Sequence, residues 1–167
     1  MNKRPQPVPV VFEDDGIFPN NSRVPLVLYP SAFGHTPEPD RIEHLVTAKG
    51  WVPAWRYTVY PYHHYHTTAH EFLVCYKGQG RVLFGGDGGQ AFDIKPGDAV
   101  MIPAGVAHKC LKDKGLAMVG SYPPGQSPDM NYGRPEERPA ADQNIQDLSF
   151  PKTDPVSGLA FEWGTGD

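Results

Sequence analysis

Four of the seven histidines fall within eight residues, in the segment HHYHTTAH (63–70), and Glu71 follows directly. In an extended chain alternate side chains share a face, so His64 and His66 point one way and His63 and Tyr65 the other. Two imidazoles on one face, two residues apart, can reach a single metal ion. The four residues after His66 are enough to turn a corner and bring the Glu71 carboxylate back to the same point. His70 is the competing donor at that corner. A further ligand must come from a distant segment, and His108 is the only histidine after the cluster. It ends the run GDAVMIPAGVAH (97–108), where Pro103 and Gly105 shape a tight turn. Three imidazoles and a carboxylate suit divalent iron, manganese, nickel or zinc. In an octahedral field they leave two adjacent places for water, a bidentate substrate, or substrate with dioxygen. A closed structural site leaves none.

The elements that must position these groups are short strands. Prolines number 19 and glycines 18 among 167 residues, which argues against long helices and for many strands and turns. From Trp51 to Tyr122, runs such as WRYTVY, EFLVCY, GRVLF, QAFDI, AVMI and AMVGSY alternate with glycine breaks, including Gly78 to Gly80. That texture predicts an all-β barrel or sandwich. One helix is predicted at 36–49, with Thr36 as N-cap, Pro37 in the first turn, and Ile42, Leu45 and Val46 on one face. Upstream, the proline-bearing segments 8–12 and 24–29 read as edge strands of an N-terminal arm. The tail holds Phe150, Leu159, Phe161 and Trp163. It is expected to wrap the barrel or a partner subunit.

The segment HHYHTTAHEFLVCYKG (63–78) resembles the first cupin motif: His64-x-His66, four residues, Glu71, six residues, Gly78. GDAVMIPAGVAHK (97–109) resembles the second: Gly97, five residues, Pro103-x-Gly105, two residues, His108. Across residues 33–133 the chain is similar to the small single-domain bacterial cupins of the YjlB-like group. Thr58 stands where the first motif has glycine, and Lys112 where the second has asparagine. The resemblance implies a double-stranded β-helix (jelly-roll barrel) with one short helix before it and an extended C-terminal tail. One domain is expected over 1–167: arm and helix at 1–50, barrel core at 51–122, wrapping tail at 123–167. It also implies one divalent metal on His64, His66, Glu71 and His108. Glu71 is preferred to His70 because it stands six residues before Gly78.

Strand parity suggests the rest of the cavity. Tyr62 shares the face of His64, and Tyr60 and Arg56 follow beyond the interruption at Pro61. Cys75 shares the face of Glu71, and Cys110 that of His108. Arginine and tyrosines beside a metal would suit a small anionic or polyhydroxylated ligand. The other reading of Arg56 is an ion pair on the barrel wall, and of the cysteines, small idle core residues. Trp55, Tyr57 and Val59 are expected on the opposite face, as core or dimer-interface residues.

A net charge of -4 without a basic cluster speaks against nucleic acid. No apolar run approaches the length of a membrane span, and no signal-type segment opens the chain. Two cysteines are too few for a disulfide framework. A cytoplasmic protein, homodimeric like other small cupins, is expected. The leading expectation is a metal-dependent enzyme of oxygenase or isomerase type acting on a small organic molecule. The alternative is a non-catalytic module that binds a small molecule or sugar.

Overall fold

The computed structural model describes residues 5–164, so the ends of the expected arm and tail, 1–4 and 165–167, lie outside the described residues. The strands are β1 (Val8–Phe12), β2 (Asn21–Tyr29), β3 (Val52–Tyr57), β4 (Glu71–Phe84), β5 (Gln90–Ile94), β6 (Ala99–Ile102) and β7 (His108–Tyr122). Helix α1 (Pro39–Ala48) precedes β3. A 3-10 turn (Pro135–Glu137) and helix α2 (Ala140–Asp147) follow β7. The strands pair antiparallel in the order β1-β2-β6-β4-β7-β3, with β5 also on β4. They roll into a jelly-roll barrel.

The two long strands set the shape. β4 and β7 pair from Phe72 opposite Ser121 to Phe84 opposite His108, with register shifts at Cys75/Lys77, at Gln79 and at Arg81/Val82. Bulges of this kind bend a strand and sharpen its twist. Gly78 makes one bend possible: its φ is +68°, and a Cβ there would lie 2.0 Å from the Gly115 carbonyl oxygen. The expected break at Gly78 to Gly80 is therefore a bend within β4, because the local register shifts absorb the glycines without ending the pairing.

Alternation along β4 buries both faces. Leu73 and Cys75 join Leu26, Val100, Val106, Cys110 and Met118 inside the barrel. Phe72 and Val74 face outward and meet Val27, Tyr29, Met101, Ile42, Val46 and Trp51. Phe150, Phe161 and Trp163 of the tail pack on the same outer cluster. A ten-residue helix is marginal alone. Enclosing Ile42 and Val46, worth about 1.5–3 kcal/mol each, holds α1 in place.

A second buried polar cluster fastens the tail. Asp154 Oδ2 accepts hydrogen bonds from Tyr29 Oη (2.8 Å) and Trp163 Nε1 (2.9 Å). Its Oδ1 accepts the amides of Val156 (2.8 Å) and Ser157 (2.9 Å). Beside it, Trp51 Nε1 donates to the Thr153 carbonyl at 2.9 Å.

Three expectations are corrected. α1 starts at Pro39 with Glu38 as N-cap, not at Thr36 and Pro37, because Glu38 precedes a proline and is held extended (φ -86°, ψ 139°). β2 lies between β1 and β6, so it is no edge. Pro25 is tolerated there because it falls in the register irregularity between Leu26 and Asn21, opposite no β1 residue, and outside the 27–29 stretch that pairs with β6. The tail is not wholly extended, since α2 buries Ala141 near Tyr65 and Phe18. Among the described residues no helix is long and apolar enough to cross a membrane.

Candidate metal centre

The histidine cluster does not form a full strand. A single bridge ties it to the start of β7: His64 N–H donates to the His108 carbonyl (3.2 Å), and His108 N–H to that of His64 (3.0 Å). One step on, Gly105 N–H donates to the His66 carbonyl at 2.7 Å. Gly105 has φ +95°, and a Cβ there would stand 2.2 Å from the Asn20 carbonyl, so this approach requires glycine. Alternation still holds locally. Tyr65 turns away into the cluster with Phe18 and Ala107, and His63 turns to Asp87 (2.7 Å).

Each remaining ring is oriented by a carbonyl. Nδ1 of His64 bonds to Tyr62 O (3.0 Å), that of His66 to Asp129 O (2.6 Å), and that of His108 to Val106 O (3.0 Å). A carbonyl only accepts, so each Nδ1 carries a proton and each Nε2 is left to face the others. The three rings present ligand atoms within 4.8 Å of one another, and all three residues are buried. His108 Nε2 is fully buried and has no hydrogen-bond partner among the described residues. Buried polar atoms are nearly always satisfied, so this nitrogen demands an explanation.

Glu71 closes the group from β4. Its Oε1 lies 3.4 Å from His108 Nε2 and its Oε2 3.5 Å from His66 Nε2. Tyr122 Oη donates to Oε2 at 2.8 Å and accepts from Trp55 Nε1 at 2.7 Å. Burial opposes charge on Glu71, but the neighbouring His66 and His108 hold its carboxyl well below the usual range. Burial, then the adjacent His108 ring, pushes His64 down to about 3. Burial opposes charge on His66 also, yet Glu71 and the Asp129 carbonyl raise it above the ordinary value. Burial and the Glu71 charge push the Tyr122 phenol upward, so it keeps its proton.

His70 is placed elsewhere. Its Nδ1 accepts the Ala104 amide (3.0 Å), and its Nε2 therefore donates to the Ser149 carbonyl (3.1 Å). With both nitrogens engaged it fastens the 149 segment to the barrel and offers no lone pair to a metal. Burial lowers it to about 4.

Above these groups opens a cavity of about 540 Å³, lined by Trp55, Tyr57, Val59, Tyr60, Leu73, Pro128 and Met130 among others. Of the pocket residues expected from parity, Tyr60 and Arg56 line it. Arg56 does so with an engaged head: its guanidinium meets Asp40 (2.5 Å) and Glu43 (2.6 Å) of α1. Tyr62 stacks on Tyr60 outside the cavity wall. Cys75 and Cys110 sit in the apolar interior, not in the cavity wall. Trp55, Tyr57 and Val59, expected on the opposite face, line the cavity. Parity fails there for a definite reason. The chain leaves β3 after Tyr57 and runs irregularly through Pro61, so counting back in twos from His64 assigns the wrong faces. Sequence reasoning also missed Tyr122 and Asp129. Both act across long-range pairings, and only the place of Tyr122 at the end of the AMVGSY run hinted at a barrel rim.

A family model described as "Cupin domain" matches residues 57–117. "Uncharacterized protein YjlB" of Bacillus subtilis (strain 168) is 43% identical over 148 residues, covering 88% of this chain and 88% of its own length. Among solved structures, a DUF861 family protein from Thermotoga maritima shares 22% identity over 52% of this chain and 92% of that one, with a TM-score of 0.33. An oxalate decarboxylase shares 16% over 84% of this chain and 34% of its own, with a TM-score of 0.36.

Proposed function

The chain belongs to the cupin family, and on that premise we propose that it is a metal-dependent enzyme of oxygenase type acting on a small organic molecule. The observation that carries this reading is the convergence of three oriented Nε2 atoms beside the Glu71 carboxylate, one of them, on His108, buried without a hydrogen-bond partner among the described residues. Such a donor set fits a divalent transition metal: imidazoles each fixed through Nδ1, which bind an ion through a deprotonated Nε2, beside a carboxylate that is charged at neutral pH. His64, His66, His108 and Glu71 would hold the ion. Iron, manganese, nickel and zinc all suit this set. A bound metal of this kind supplies Lewis acidity and open coordination places.

The chain's own groups do the rest. The three backbone carbonyls keep each ring in one tautomer. Tyr122, itself held by Trp55, keeps its proton and fixes the Glu71 carboxylate. Isomerisation needs a base near the substrate. Among the described lining residues, each imidazole and carboxylate is already committed. The Asp129 carboxylate, for instance, accepts from Thr67 and Asn131. That leaves the Tyr57 and Tyr60 phenols, which must first lose a proton to act as a base, and favours oxygenation over isomerisation.

Elemental analysis of protein purified without added metal tests the proposal. One equivalent of transition metal per chain is expected, with oxygen uptake when iron-loaded protein meets a substrate. Failure to hold any metal, as purified and after reconstitution, overturns it.

A further inference from the structure

The cavity wall is aromatic on its open side. Tyr57 and Tyr60 line it, their ring centroids 6.1 Å apart and their planes inclined at 58°. Tyr60 also touches the His64 ring edge-on at 5.3 Å. Behind it Tyr62 stacks at 5.2 Å, nearly parallel at 9°, and Tyr132 continues the run at 6.1 Å. These four rings are 37–58% exposed. An unbroken series of aromatic faces thus leads from the histidine floor to solvent. Half-exposed aromatics grouped at a cavity mouth mark a binding surface rather than a core.

Charge in the wall is as informative as the rings. Among the described lining residues Arg56 is the one lysine or arginine, and Asp40 and Glu43 already neutralise it. Apart from an ion held on the histidine floor, a phosphorylated sugar or a polycarboxylate would find no free cation in the wall. The share of Arg56 in the expectation of an anionic ligand is gone, because its head is spent on α1. A saturated polyol would also be poorly served, because the wall offers faces and few uncommitted polar groups.

We infer that the cavity takes an uncharged aromatic ring bearing adjacent hydroxyl groups, its oxygens toward the His64, His66, Glu71 and His108 floor and its ring against Tyr57 and Tyr60. This inference rests on the metal-centre reading for the oxygen end and on the tyrosines for the ring end. The two can fail separately.

The test is calorimetric titration of the full chain, metal-loaded and chelator-treated, with catechol, cis-1,2-cyclohexanediol and citrate. Catechol differs from the diol by aromaticity, and citrate supplies negative charge. Catechol is expected to bind at least about tenfold tighter than either, and the Tyr57→Leu/Tyr60→Leu variant to lose about 2- to 12-fold per ring removed. Leucine keeps the wall apolar, and metal content checks that the floor is intact. Metal uptake without preference for catechol, or catechol binding unchanged in the variant, overturns the inference and leaves the metal reading standing. Ring-dependent catechol binding by protein that takes up no metal supports the tyrosine platform and overturns the metal reading.

Discussion

Two buried polar clusters lie on opposite faces of the same sheet, and they differ in what they leave unmade. On the outer face, Asp154 receives four donors, from Tyr29, Trp163, Val156 and Ser157. Each carboxylate oxygen there is used twice. At the barrel mouth, the rings of His64, His66 and His108 each give Nδ1 to a carbonyl, and their Nε2 atoms gather beside the Glu71 carboxylate, that of His108 with no hydrogen-bond partner among the described residues. Satisfied polar groups fasten structure, whereas convergent, oriented and unsatisfied ones receive a ligand. His70 makes the same distinction within a single residue type. It sits between the proposed ligands in sequence, but both of its nitrogens are engaged.

The sharpest break of this comparison is at His108. His108→Ala is expected to cost more metal affinity than the roughly 10- to 100-fold typical of losing an outer partner, and to abolish stoichiometric metal in elemental analysis. Asp154→Ala should do the reverse. It strands the Tyr29 hydroxyl and the Trp163 indole, so about 3 kcal/mol of stability should vanish in urea unfolding while metal content holds.

Acid should reach the same clamp. Burial pushes the Asp154 carboxyl upward, but the donors from Ser157, Trp163, Tyr29 and Val156 more than offset it, so its folded value lies below normal. The clamp's contribution is then complete above the unfolded value, about 3.9, and is lost as pH falls through the lower folded value. Tryptophan fluorescence during an acid titration should follow that loss, and the Asp154→Asn variant should not show it.

His70→Ala comes next, with about 1–3 kcal/mol lost because the Ala104 amide and the Ser149 carbonyl lose their partner. Its metal content should match wild type. A metal-free His70→Ala protein that remains folded would return His70 to the ligand set. The smallest effect is expected from Tyr122→Phe. It keeps the ring, removes the hydrogen bond to Glu71, and should weaken metal binding about tenfold in a chelator competition.

Much of the mouth could be read from the chain because it depends on local geometry. His64 and His66 share a side, with Tyr65 opposed, on little more than one bridge of extended backbone. The Pro103 to Gly105 turn explains why His108 arrives beside them. Where the backbone departs from regularity, the reading fails. The irregular chain between Tyr57 and His64 upsets the count of faces, so Trp55, expected in the core or an interface, holds Tyr122 at the cavity, while Arg56 takes the second of its two expected roles, an ion pair with α1. Tyr122 was legible only as the end of the AMVGSY run, and Asp129 not at all. Their partners, Glu71 and His66, lie 51 and 63 residues away, and no local pattern encodes that distance.

The corner between His66 and Glu71 is held from downstream. Asp129 receives Thr67 N–H and the His66 ring, Gln126 receives His70 N–H, Asn144 donates to Thr67, and Ser149 receives the His70 ring. A chain emerging from the ribosome thus displays the three histidines and Glu71 by residue 108, but lacks their braces for another forty residues. At ordinary translation speeds that interval is on the order of seconds. During it the proposed ligands would form a loose chelator with little geometric preference. On that reading, selection among competing ions would fall to the finished barrel, once the last quarter of the chain has closed over the site.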